Sequence, residues 1–289
     1  MMAIAGVVVL ILMVFGGFAI AGGSLGPVLH ALPHEMLIIG GAAIGMLIVS
    51  NDMGSLKQLG GGLGRIVKGP RFNRQDFLSA IFLTVRLMRL LKAEGAVAVE
   101  PHVENPESSP IWNEYPRLLA DHFFVHLVCD TLRLLVVSTG TVSSIAIEDV
   151  LDTAIETHHH NALRPAEQLQ TLGDALPALG IVAAVLGVVK TMGSIDQPPA
   201  VLGGMIGSAL VGTFLGVLLA YGIVNPLSAR LRAITEADGE IYQVVRRVIL
   251  ASLRNQPQPI VLETARTAIG PARQPQFTEV FEGLRGGKS

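Results

Sequence analysis

Apolar residues gather along this chain into four long runs that are separated by polar segments. A membrane-spanning helix needs about 20 mostly apolar residues, and the runs cover residues 3–22, 34–50, 175–195 and 200–225. The first run lacks the basic residues that precede the core of a secretory signal, so it predicts a first span. We therefore expect an all-α integral membrane protein with four transmembrane helices and a large helical cytoplasmic domain.

The same pattern divides the chain into four consecutive regions. Residues 1–52 form a first transmembrane hairpin, and residues 53–170 a cytoplasmic helical domain. Residues 171–227 form the second hairpin, and residues 228–289 a cytoplasmic helical tail. Composition agrees, since 50% of residues are hydrophobic and 15% are charged, against roughly 25% charged in an average soluble domain.

The basic residues predict the orientation in the membrane. Eleven lie between Lys57 and Arg164 and nine between Arg230 and Lys288, whereas the turns within the two hairpins have none. Short turns without Lys or Arg face away from the cytoplasm. We therefore predict a multi-pass protein of the cell inner membrane with both termini in the cytoplasm.

Helical periodicity dominates the cytoplasmic part. Asp76 and Gly95 mark the ends of a helix over 76–94, and further helices fit 115–137 and 144–158. The glycine-rich, basic segment 53–75 predicts a juxtamembrane loop against anionic lipid. The cytoplasmic part is thus expected to be a helical bundle.

Few residues in the sequence suggest chemistry at a site. Cys129 is the only cysteine, and three consecutive histidines at 158–160 are poorly placed as joint metal ligands, so they predict solvated polar residues. Walker, G-x-S-x-G and H-E-x-x-H patterns do not occur. A net charge of -2 without a basic, aromatic patch gives no reason to expect nucleic-acid binding. We predict no enzyme, no cofactor and no metal site.

The membrane runs contain small residues and few polar ones. Pairs spaced G-x-x-x-G occur at Gly41/Gly45, Gly203/Gly207 and Gly212/Gly216, a spacing that lets helix backbones approach closely in lipid. Polar side chains deep in the last two runs reduce to Ser208, Thr213 and Tyr221. An ion path usually needs an ionisable group at depth, so a partner is expected to supply it.

Four separated motifs resemble the MotA family, the larger stator subunits of bacterial flagellar motors within the MotA/TolQ/ExbB group. They are GGSLG at 22–26, ENPESSPIWNEYPRLLAD at 104–121, GDALPALGIVAAVLGVV at 173–189 and VGTFLGVLLAYGIVNPL at 211–227. Their order and topology match the family almost from end to end. The three-span ExbB and TolQ branch lacks the second motif.

The resemblance implies a set of partners. Family members form a ring of five copies around two MotB helices, and MotB carries the membrane aspartate that binds the ion. Ion flow rotates the ring, which pushes the rotor protein FliG through charged contacts. The resemblance thus implies a non-enzymatic stator subunit for flagellum rotation, in contact with membrane lipid.

The resemblance also implies roles for single residues. Pro177, Thr213, Tyr221 and Pro226 match positions near the ion path. Two further positions, Lys92 and Glu100, match the basic and acidic rotor-contact residues. The family more often has Arg at the basic position, and Lys keeps the charge but loses the planar fork.

Ala184 bears on the ion that is transported. Sodium-driven relatives tend to have Thr at this position, and Ala offers no oxygen ligand, so Ala184 predicts protons. A sodium-driven stator of the same family and an ExbB/TolQ-like energy-transducing subunit are the alternatives. A self-sufficient channel would need its own intramembrane ionisable group, and a membrane scaffold without ion flow would not account for the end-to-end resemblance.

Overall fold

The chain folds into helices throughout the part that the structure describes, residues 2–138 and 142–285 of a computed structural model. No strand occurs among these residues. The helices are α1 (Met2–Ile20), α2 (Gly26–Ser50), α3 (Met53–Lys68), α4 (Arg74–Glu94), α5 (Ala96–Glu104), α6 (Pro110–Asn113), α7 (Pro116–Leu119), α8 (His122–Val137), α9 (Ser144–Met192), α10 (Pro199–Val217), α11 (Asn225–Leu253), α12 (Gln258–Arg266) and α13 (Phe277–Arg285). A 3₁₀ turn covers Pro106–Ser108, and a π-helical turn at Leu218–Val224 joins α10 to α11.

Four of these helices are long and apolar enough to cross a membrane. They are α1, α2, α9 and the continuous helical stretch Pro199–Leu253. The expected class, an all-α protein with four membrane-spanning helices, is confirmed. Helix α2 begins at Gly26, eight residues before the predicted span, because Pro27 suits a first helical turn and Pro33 is accommodated inside the helix.

The residues group into two compact units. One comprises residues 1–69 and 163–234, and the other residues 70–162 and 235–289. The first unit has small apolar cores, one of them formed by buried residues of α2, α9, α10 and the π-helical turn: Ala31, Ile39, Ala43, Leu176, Ala183, Val211, Leu215 and Ala220. The second unit has a larger core centred on fully buried Phe77, Trp112 and Phe124.

Residues 53–68, expected to lie in a loop, form helix α3. The Asp52 side chain caps its first turn by accepting from the Gly54 and Ser55 amides. A Cβ at Gly62 would lie 3.0 Å from both Leu231 and Pro165, so this glycine lets α3 pack closely within its unit. The glycines that suggested a loop are tolerated because packing outweighs their low helix propensity.

Two helices predicted in the polar middle region differ from their predicted limits. The region 115–137 is broken after Leu119, because the Asp121 side chain accepts the Phe124 amide at 2.9 Å and starts α8. The helix expected to end at His158 continues as α9 to Met192. Helix α9 passes Gly173, Gly180 and Gly187 without ending, because packing outweighs the low helix propensity of glycine, and Gly193 directly follows its last residue.

The second unit begins with a well-formed cap. Asn73 and Asp76 form a reciprocal capping box at the start of α4. Asp76, predicted as a start signal, is therefore the third residue of the helix. Arg117 of α7, within the motif at residues 104–121, forms an ion pair with Asp76 at 3.0 Å. This ion pair links the start of α4 to that motif.

Candidate functional site

Glycines bring helices α9 and α10 into backbone contact within the first unit. A Cβ at Gly180 would lie 2.7 Å from the Gly212 carbonyl oxygen, and one at Gly216 would lie 2.6 Å from the Leu176 carbonyl oxygen. A Cβ at Gly187 would lie 2.6 Å from that of Ala209. The small residues of the third apolar run therefore pack against the fourth, as expected for helices in lipid.

The structure places two of the predicted ion-path residues at this interface. The Ala184 amide nitrogen lies 3.2 Å from where a Cβ at Gly212 would stand, and Thr213 follows Gly212 directly. Both Ala184 and Thr213 are half-buried. Pro177, near the start of the predicted third span at 175–195, lies inside α9 and is also half-buried.

The other two ion-path residues lie at the π-helical turn. Tyr221 is within Leu218–Val224 and 63% exposed, and Pro226 is the second residue of α11. The Asn225 amide bonds to the Ala220 carbonyl, five residues back. Proline has no amide hydrogen and crowds the preceding turn, so this wider turn lets the helix pass Pro226 without ending. Pro226, which directly follows the predicted fourth span at 200–225, therefore lies inside a continuous helix and does not terminate it.

Beside Gly212 lies a carboxyl group that the sequence analysis missed. Glu35 of α2 is 7% exposed, and its Oε2 would lie 2.5 Å from a Cβ at Gly212. The predicted second span started at His34, which put Glu35 at its edge. The Gly26-Pro27 pair, a helix-start signal, would have moved Glu35 into the span.

The predicted rotor-contact residues lie on neighbouring helices of the second unit. Lys92 in the last turn of α4 donates to the Ser252 carbonyl oxygen and to Asn255 Oδ1, the latter at 2.9 Å. Glu100 is exposed on α5. The ammonium group thus neutralises the carbonyl end of α11, a structural role that the sequence did not reveal.

The motif at residues 104–121 forms part of a polar network in the second unit. Arg117 donates to the Arg71 carbonyl at 2.7 Å, and the Arg71 amide donates to Asp238 at 2.8 Å. Buried Asp121 accepts from the Tyr242 hydroxyl at 3.3 Å. Charged residues of this motif therefore hold the unit together.

His158, expected to be solvated, packs within the second unit. Its ring stacks on Phe123 with 3.7 Å between centroids and meets Tyr242 edge-on at 5.1 Å. Among the described residues no group of three His, Cys, Asp or Glu side chains is placed to hold a metal ion.

Comparison with known proteins identifies the family. The profile of the motility protein A N-terminal family matches residues 4–95, and that of the MotA/TolQ/ExbB proton channel family matches residues 122–243. Motility protein A of Salmonella typhimurium is 38% identical over 285 residues, covering 99% of this chain and 95% of that protein. The chain belongs to the motility protein A family.

Other members of the motility protein A family are similar over the same length. The Escherichia coli protein is 38% identical over 100% of this chain and 97% of its own. Chemotaxis protein LafT of Vibrio parahaemolyticus is 32% identical over 96% of each chain. The matched family consists of proton channels, and the relatives are motility proteins. This chain is therefore a membrane protein of the motility protein A family and not an enzyme.

Solved structures share the fold of the motility protein A chain. One described as C. jejuni MotAB has a TM-score of 0.72 at 19% identity, covering 95% of this chain and 98% of that one. The flagellar MotAB stator complex from Bacillus subtilis has a TM-score of 0.67 at 18% identity and covers 99% of both chains.

Proposed function

We propose that this chain is the larger stator subunit of a bacterial flagellar motor. With a MotB-like single-span partner it forms a proton-conducting complex that converts ion flow into torque on the rotor protein FliG. The observation that carries the proposal is the neutral outer face of α9. Its large apolar side chains are more than half exposed beside the glycine-packed interface, namely Ile181, Val182, Val185, Leu186 and Val189.

The apolar face of α9 suits contact with a partner helix that carries an acidic residue. Residues 197–220 contain no titratable side chain, so α10 offers no charge. An ion path needs a titrating group at depth, which a partner aspartate would provide. Pro177, Ala184, Thr213, Tyr221 and Pro226 then border the path taken by the proton.

The assembly is proposed as five copies around two partner chains. In a single chain, a Cβ at Gly41, Gly45, Gly203 or Gly207 would meet nothing within 4 Å. These glycines of α2 and α10 therefore have room for another helix at close distance. Such contacts favour a homo-oligomer.

The complex is placed in the inner membrane with both termini in the cytoplasm. Regions 1–52 and 171–227 cross the bilayer, and regions 53–170 and 228–289 remain cytoplasmic. Helix α3 is amphipathic, with exposed Met53, Leu63 and Val67 beside the basic Lys57 and Lys68. This combination suits an interfacial helix on anionic lipid.

Lys92 and Glu100 are proposed as the rotor contact. The alternative hypotheses for the function are a sodium-driven stator and an ExbB/TolQ-like energy-transducing subunit. Near-full-length similarity to motility protein A favours the flagellar reading, and Ala184, without a side-chain oxygen, favours protons.

Mass analysis of the complex, gently purified from its native membrane, tests the proposal. We expect a single-span protein with an acidic residue early in its span, present at fewer copies than this chain. If this chain is recovered alone as a stable oligomer, no partner aspartate is present and a channel or scaffold function replaces the stator.

A further inference from the structure

Glu35 is a buried carboxyl group in the interior of the first unit. It lies on α2 at 7% exposure, amid the apolar core that includes Ala31, Ile39 and Ala183. Its Oε2 faces Gly212 of α10, where even one added methyl group would come within 2.5 Å. The glycine on α10 leaves room for this carboxyl group.

The carboxyl group has no polar partner at its buried oxygen. Oε2 forms no hydrogen bond among the described residues. Asp174 on α9, by contrast, accepts from Gln170 at 2.9 Å and from Asn225 at 3.4 Å. Burying an ionised carboxylate without a partner is unfavourable, so Glu35 holds its proton until an acceptor or a cation comes close.

Glu35 lies well inside its helix. It is nine residues after Gly26, the start of α2, which corresponds to about 14 Å along the axis at the usual helical rise. The hydrocarbon core of a bilayer is about 30 Å thick. The distance from the start of α2 is therefore about half of that thickness, a depth at which an ionisable residue is expected to be functional.

Two histidines, His30 and His34, precede Glu35 on α2. Exposed His34 adjoins it in sequence, and the rings of His30 and His34 are stacked with 6.5 Å between centroids. Helix α10 contributes no titratable group, and the closest ones in sequence to Ala183 on α9 are Asp174 and Lys190. Among α2, α9 and α10, the two histidines of α2 are therefore the titratable groups closest in sequence to Glu35.

We propose that Glu35 is a proton-binding site of this chain, upstream of the partner's acid. The Glu35 carboxylate accepts a proton from a protonated histidine or hydronium and becomes a neutral acid. It then returns that proton to a carboxylate of the partner and is ionised again. The inference rests on the proposed function, because it requires a proton current. A metal cation is disfavoured, since one carboxyl group among Gly and Ala offers too few oxygen ligands.

Proton flux into liposomes containing the complete complex with its partner tests the site. Glu35→Gln keeps the size of the side chain and removes the titratable proton. We expect flux to fall roughly a hundredfold, the lower end of what a positioned proton-transfer group contributes. Glu107→Gln, at an exposed position of the second unit, is the matched control and should conduct like the wild type.

Infrared difference spectra taken across pH on the same samples give a second readout. The wild-type complex should show the carbonyl band of a protonated carboxyl group that is missing in Glu35→Gln. Equal flux and an unchanged band in Glu35→Gln would overturn the inference. If Glu35→Gln does not assemble, Glu35→Asp decides: a shifted pH dependence of flux supports the site, and an unchanged one overturns it. A wild-type complex without proton flux would instead refute the proposed function.

Discussion

At the scale of single residues, Lys92 combines a contact within the chain with a proposed contact outside it. Its ammonium group holds the Ser252 carbonyl, and the residue remains exposed. We predict that Lys92→Glu weakens torque without preventing assembly, and that reversing Glu100 as well weakens it further. Single changes should be mild, because an exposed ion pair contributes about 0 to 1 kcal/mol. Torque measured on tethered beads tests this.

The control for this charge reversal is Arg247→Glu, an exposed site on α11 of the same unit. Lys92→Gln removes the charge without reversing it and shows how much of the loss comes from the missing ammonium group rather than from the new carboxylate. Wild-type torque in the double variant would exclude both residues from the rotor contact.

His102 makes the second unit sensitive to acid. Burial, with a smaller effect of the Arg86 charge, lowers the pKa of His102, whose Nδ1 lies 2.7 Å from Ser109 Oγ. The unfolded chain therefore binds the proton more readily, so stability is lost as pH falls below about 6.5, the ordinary histidine value. Thermal unfolding from pH 8 to pH 5 should show a smaller loss in His102→Asn. His126→Asn, at an exposed site, should behave like the wild type.

At the scale of helices, the contact of α9 with α10 depends on residues without side chains. A Cβ at Gly216 would lie 2.6 Å from the Leu176 carbonyl oxygen and 2.9 Å from Gly180 Cα. We predict that Gly216→Ala forces the backbones apart and costs about 1–3 kcal/mol, as overpacking does. Thermal unfolding in detergent measures the loss. Gly204→Ala, with nothing within 4 Å, should have little effect, and equal stability of the two variants would contradict tight packing at Gly216.

The sequence predicted which segments are helical better than it predicted where each helix begins and ends. The four apolar runs predicted four spans because lipid demands length and apolarity. Continuity of α9 through His158 and Pro165 was missed, because polar residues and prolines do not end a helix whose packing continues. The contacts of Lys92 and Glu35 were likewise not predictable from the sequence. Their partners, Ser252 and Gly212, are distant in sequence, so only the fold brings them together.

At the scale of the whole molecule, Ala184 leads to a prediction about the driving ion. The small residue at the glycine-packed interface has no oxygen to coordinate a dehydrated cation, so swimming should depend on protons. We expect speed to persist in sodium-free medium and to collapse with a proton uncoupler. Speed that follows sodium and ignores the uncoupler would assign the chain to the sodium-driven branch.

The interleaving of the two units along the chain has a consequence for biosynthesis. The core of the second unit includes both Phe77 and Val245. At a synthesis rate of about 5–20 residues per second, Val245 is added to the chain roughly 10–30 s after Phe77. Throughout that time the apolar side chains of the first half of this core lack their packing partners. Nascent chains of this protein therefore depend on protection from aggregation until translation is nearly complete.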